Sequence, residues 1–289
     1  MGYKLIEILL YAIRSVDLGV YHFLNGYAGH RVLDLLASFE EESSLLKGGL
    51  FLSLYVYLWF RGGPDRQDRR STIIAIFAGI VLAVIVSRVI ADVVPFRIRP
   101  MYEGSITHRP HSFAITGNME RWSSFPSDTA AYFAAMAFGL GWLLRRYGAL
   151  LALYTAVWIC LPRLFLGEHY LSDILVGSMV GVTTVWLSVR SKRIRLTLAG
   201  FVLWLLDSHP GVFYGAGFLA LFEMAVMFAD LRSAAHLLIH TSFHLLPVTG
   251  ALLVLLISLT YAGVRAFRRH GGNQILGKSP ELHVSRRLA

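Results

Sequence analysis

The chain has 289 residues, 55% hydrophobic and 16% charged, with a formal net charge of +9. A soluble domain carries about 25% charged residues, so this composition excludes an ordinary soluble protein and points to an all-α, polytopic helical membrane protein. Its arginines flank apolar runs instead of lining one soluble face, which argues against nucleic acid as a partner, and a single cysteine, Cys160, leaves no disulfide framework or cysteine metal cluster.

Residues 4–24 set Ile6, Leu9, Leu10, Ile13, Val16, Val20 and Phe23 at helical spacing. This pattern predicts an amphipathic helix lying in the membrane interface, with a tilted span as the competing reading. Glu7, Arg14 and Asp17 interrupt its apolar run, so it does not read as a cleaved signal. About seven spans are expected after it, at 44–60, 71–94, 128–146, 149–166, 171–190, 211–229 and 245–264. The short apolar piece 196–207 reads as a packing helix, set off by His209-Pro210. We divide the chain into an N-terminal interfacial segment (1–43), a transmembrane core (44–195), additional C-terminal helices (196–270) and a basic, disordered tail (271–289).

The loops "RGGPDRQDRR" (61–70), "RRYG" (145–148), "RSKRIR" (190–195) and "RAFRR" (265–269) are strongly basic and fall on one side of the seven spans. The positive-inside bias makes that side cytoplasmic, in a cell (inner) membrane. The opposite, extracytoplasmic side carries 95–127, 163–170 and 230–244, whose arginines and histidines the bias does not explain.

Three segments on that outer side belong together. "PFRIRP" ends in Arg99-Pro100, where a span leaves the membrane. "SSFPSDTAA" starts the next span, with Ser127 near the N-cap and Asp128 in the first turn. A helix N-terminus offers unpaired N–H groups and partial positive charge, which suits an anion. The third, "PRLFLGEHYLSD", holds Arg163, His169 and Asp173 at spacing Arg-x5-His-x3-Asp. Guanidinium groups grip phosphate oxygens at two points. A neutral imidazole can attack phosphorus if one ring nitrogen is free and the other is fixed, and Asp173, four residues after His169, is placed to accept that second N–H. Together these residues read as a phosphoryl-transfer site.

"RIRP", "FPSD" and "PRLFLGEHYLSD" resemble the three-part signature of the type-2 phosphatidic acid phosphatase superfamily, over about residues 71–190. That family includes membrane lipid phosphatases, undecaprenyl diphosphate phosphatases and vanadium haloperoxidases. The resemblance implies phosphate binding by Arg99, Ser127 and Arg163. It also implies a phosphohistidine on His169 with Asp173 as its partner, and no metal or other cofactor.

Two positions depart from the pattern. Where the family has a basic residue seven positions before Arg99, this chain has Asp92; Arg88, one turn earlier, or Arg97 could supply the cation, or Arg88 could pair with Asp92 instead. Where the family's middle segment ends in histidine, the general acid, this chain has Thr129. Threonine cannot donate a proton near neutral pH, and such an acid is worth about 10²–10⁴-fold. A lipid phosphate leaving from a diphosphate is already stabilised as an anion, so Thr129 favours a donor such as polyprenyl diphosphate. His108 and His111 in "THRPHSF" are candidate surrogate acids, against a plainer place in solvent or among headgroups.

Other features read more plainly. His236, His240 and His244 at four-residue spacing fit an interfacial helix better than a zinc site, because no carboxylate or cysteine shares the stripe. "GSMVG" (177–181) fits close packing of span five, or a homodimer face. Trp59, Trp122 and Trp142 look like interface anchors. The resulting expectation is a membrane phosphatase or phosphotransferase whose partners are membrane lipids and a lipid-phosphate substrate. The alternatives are a catalytically impaired lipid-phosphate-binding relative and a lipid-phosphate transporter.

Overall fold

The computed structural model describes residues 2–106 and 120–231, with side chains from Lys4 onward. His108, His111, the histidine stripe at 236–244, the expected span 245–264 and the tail lie outside those residues. Among the described residues all regular structure is helical. The chain divides into two compact units, Met1–Ala199 with Gly217–Phe228, and Gly200–Ala216 with Ala229–Ala289.

The first unit is built on α4 (Arg66–Val93), α5 (Asp128–Leu143) and α8 (Leu171–Arg190), which pack against one another. Around them lie α1 (Gly2–Asn25), α2 (Arg31–Glu42), α3 (Leu50–Phe60), α6 (Gly148–Tyr154) and the short α7 (Leu161–Phe165). Three helical stretches are long and apolar enough to cross a hydrocarbon layer: Arg66–Val93, Arg145–Phe165 and Leu171–Arg190. The pair Arg31–Glu42 and Leu45–Phe60, bent by 70°, makes a fourth if counted as one. The protein is therefore an all-α membrane protein, and the expected count of seven spans is not reached among the described residues. α5 and α10 (Pro210–Ala225) have 16 residues each, about 24 Å of helix.

Core packing explains why α5 sits at the centre. Its side chains Tyr132, Phe133, Met136 and Leu140 are fully buried with Phe51, Tyr55, Ile76, Ile80 and Ile159. The Tyr55 hydroxyl donates to the Met136 carbonyl at 2.8 Å, so this ring brings its own polar partner into the core. α8 approaches α5 through Gly177 and Gly181: a Cβ on either would come within 2.2 Å of the Ser127 carbonyl oxygen or 2.0 Å of that of Ala131. The small-residue face is thus used inside the chain, against α5.

α1 differs from the expected interfacial helix in what it turns inward. Leu5, Ile6, Leu9, Leu10, Ile13 and Val16 are exposed, while Asp17 and Tyr21 are buried. The polar residue faces the protein because Ser172 on α8 and Arg97 offer it partners there. In the second unit, α9 (Lys192–Ser208) ends and α10 begins on either side of His209, with Pro210 in the first turn of α10. There the Trp204 ring meets Phe201 at a tilt and His209 edge-on.

Among the described residues, the basic stretches 61–70 and 190–195 lie at one end of α4 and the charged constellation at the other, about 42 Å of helix away. At the basic end Arg195 donates to Asp68 at 3.1 Å and to Thr72 at 2.6 Å, joining two of those stretches.

Candidate active site

Backbone hydrogen bonds sew the three sequence segments into one site. The Ser124 N–H donates to the Arg97 carbonyl at 2.9 Å, Met101 to Gly167 at 2.9 Å, and Ser127 to Asp173 at 3.1 Å. Gly167 makes the turn before the histidine with φ of 76°, a conformation that glycine adopts without strain. Close approach of α8 to α5 at Gly177 places the Ser127 N-cap beside the first turn of α8.

His169 is buried, and its Nδ1 lies 2.8 Å from the Ser124 carbonyl oxygen. A carbonyl can only accept, so Nδ1 carries the proton and Nε2 keeps its lone pair. The expected partner, Asp173, does not play this part: its nearer oxygen is 3.9 Å from Nδ1, beyond hydrogen-bond reach. Asp173 instead accepts from the Tyr170 N–H at 2.8 Å, capping α8, and from Arg97 at 2.5 Å. Its spacing was equally compatible with a helix cap, and the cap won because Tyr170 begins the helix. Burial, together with repulsion from Arg99, pushes the His169 imidazole down to about 4, against the opposing pull of Glu168, Asp128 and the Ser124 carbonyl. The ring is neutral at physiological pH.

The arginines divide by role. Arg99 is buried and donates to the carbonyls of Trp122 (3.3 Å) and Glu168 (3.0 Å). It lies within the fields of Glu168, Asp128, Arg163 and Arg88, with burial the largest influence lowering its basicity. Arg163 is also buried, and its Nη1 is 2.6 Å from both Glu41 and Glu168. Its Nε has no hydrogen-bond partner within the protein, nor has the Ser124 hydroxyl. Burial works against the Glu168 carboxylate, but Arg163 overcomes it and holds its pKa below the usual value.

Arg97 is engaged by carboxylates of the protein. It spans Asp173, Asp17 (2.7 Å) and the Ser172 hydroxyl (2.8 Å), with its guanidinium 4.1 Å above the Tyr170 ring. Arg88 pairs with Asp128, not with Asp92, which is exposed on α4. It lies 4.7 Å over the Trp122 ring, so Trp122 belongs to the site in addition to any interfacial part. Ser127 caps α5, its hydroxyl oxygen accepting from Ala130 at 3.2 Å. Asp128 accepts from the Thr129 N–H at 2.9 Å, and Thr129 is buried in the same turn. Among the described residues, no three His, Cys, Asp or Glu side chains gather as a metal site.

Four contributors were not assigned to the site from the sequence: Ser124 through its carbonyl, Glu168, Glu41 and Asp17. Glu41 had one visible signal, a run of three glutamates (40–42) next to an apolar stretch.

With this geometry in view, comparison with known families gives one match: residues 72–196 fit the model of the PAP2 superfamily. That match points to a phosphatase-type activity on lipid phosphate. No curated protein and no solved structure matches the chain. α1 and α2, which supply Asp17 and Glu41, lie outside the matched residues.

Proposed function

We propose that the protein is a phosphatase or phosphotransferase for a lipid-linked phosphate, with His169 as nucleophile and the site on the extracytoplasmic side. One observation carries this reading: the Ser124 carbonyl holds the proton on Nδ1 of a buried, neutral His169, which leaves the Nε2 lone pair free within the field of the Arg99 guanidinium. Nε2 would form the P–N bond as the P–O bond to the lipid breaks, and water would then cleave the phosphohistidine, or an acceptor hydroxyl would take the phosphoryl group. Arg99 and Arg163 serve as phosphate ligands, and Ser127 presents the N-terminus of α5 to the anion.

Thr129 makes a diphosphate the better substrate. Without an imidazole acid at that position, a leaving lipid phosphate departs more readily than an alkoxide. The test is phosphate release from polyprenyl diphosphate and from phosphatidic acid, with wild type and His169→Ala. Faster turnover of the monoester would overturn the diphosphate preference, and undiminished turnover by the variant would overturn the nucleophile.

A binding relative without turnover is the second reading, favoured by the carboxylates already paired with Arg163 and Arg88. Labelled phosphate trapped on His169 excludes it.

A further inference from the structure

Glu168 lies directly before His169 in the chain and is tied to both of the buried arginines. It is itself fully buried. Its N–H donates to the Arg163 carbonyl at 3.0 Å, and its own carbonyl accepts from Arg99 Nη1 at 3.0 Å. Its carboxylate Oε2 accepts from Arg163 Nη1 at 2.6 Å. Glu41 Oε2 lies as near to that nitrogen but accepts no hydrogen bond from it. The side chain that orients Nη1 is therefore Glu168.

A guanidinium group donates from a planar fork, and a carboxylate on one nitrogen decides which edge is left. Nη1 goes to Glu168. Nε of Arg163 is buried and has no hydrogen-bond partner among the described residues. The edge that Nε shares with Nη2 carries two parallel N–H bonds, which match two phosphate oxygens. Resting on the phosphate-site reading above, we propose that Glu168 is a positioning residue, which turns Arg163 so that its Nε edge meets the phosphoryl group. Through its carbonyl it holds Arg99 as well, so both guanidinium groups and the nucleophile share one frame.

A plainer role for the same carboxylate predicts the opposite sign. If Glu168 only neutralised a buried arginine, it would compete with phosphate for that arginine, and removing its charge would tighten anion binding. If it aims Arg163, anion binding weakens when the aim is lost, because a two-point contact needs a fixed guanidinium plane.

The experiment is calorimetric titration of inorganic phosphate into the purified full chain at constant pH, which needs no turnover. Glu168→Gln keeps the side-chain shape and should raise the Kd about tenfold. Glu168→Asp keeps the charge but draws the carboxylate back by one methylene, and should raise the Kd by about threefold or more. This second variant decides the matter if Glu168→Gln fails to fold. Arg163→Lys replaces the fork by a point charge with no edge to aim. In that background Glu168→Gln should change the Kd by less than about twofold. Unchanged or tighter phosphate binding in a folded Glu168 variant would overturn the inference, as would equal losses in the wild-type and Arg163→Lys backgrounds. A wild-type chain that binds no phosphate would overturn it together with the site reading. His169→Ala separates the failures: if it keeps turnover while the Glu168 variants lose phosphate, only the nucleophile falls. If it is inactive while Glu168→Gln binds phosphate as tightly as wild type, only the positioning inference falls.

Discussion

Arg97→Ala offers the sharpest division between a structural and an anion-binding arginine. In the folded chain its guanidinium joins Asp17 on α1 to Asp173 on α8, and both carboxylates are almost wholly buried, at 2% and 0% exposure. Removing one partner of a buried ion pair costs about 3–5 kcal/mol. Each carboxylate keeps a backbone donor after the change, from Ser172 to Asp17 and from Tyr170 to Asp173, both at 2.8 Å. Arg97 is itself 28% exposed, so solvent screens part of its charge. The expected loss is therefore ~2–3 kcal/mol. Arg97→Lys should lose less, ~1 kcal/mol, because an ammonium keeps the charge but cannot fork between two carboxylates. Denaturant unfolding in detergent micelles measures both, and a double-mutant cycle with Asp17→Asn should return a coupling of ~1–2 kcal/mol. A variant as stable as wild type, but more than about 100-fold slower in phosphate release, would refute the bridge and return Arg97 to the anion site.

Four further outcomes follow from the site. With the His169 imidazole at about 4, against 6.5 for the free side chain, the unfolded chain binds its proton first; stability should fall as pH drops from 6.5 towards 4, by up to ~3 kcal/mol, and His169→Asn should remove that slope in acid-unfolding curves. In the same window, kcat/KM should show an acid limb near pH 4, absent only if the nucleophile is another group. Gly177→Ala puts a methyl group 2.2 Å from the Ser127 carbonyl and should cost ~1–3 kcal/mol, with a matching fall in turnover because the cap of α5 shifts; unchanged thermal unfolding would show that α8 can move aside. Thr129→His should speed phosphatidic acid turnover relative to polyprenyl diphosphate by about 10²-fold, and an unchanged ratio in a folded variant would show that leaving-group protonation does not limit the rate.

Much of this protein was legible along the chain because the signals are local. Apolar run length announces membrane helices, since a hydrocarbon layer admits few other structures. Ser127 as an N-cap followed from Pro126 and the apolar run after it, and the structure shows that cap. Arg99, Arg163 and His169 could be singled out because buried charge at the end of an apolar run needs a reason.

What the chain alone left open was decided by competition between partners distant in sequence. Asp173 sits four residues from His169, yet its carboxylate went to the Tyr170 N–H and Arg97, and a carbonyl from Ser124, 45 residues away, accepts the imidazole N–H. Arg88 had Asp92 one turn along the same helix and paired with Asp128 on another. Glu41 reached Arg163 only because the bend after α2 brings a run of glutamates under the site. Sequence spacing specifies which groups can meet along one helix. Which of several charged candidates does meet a given group depends on how helices pack, because a buried charge takes the partner that satisfies it at the least cost in desolvation.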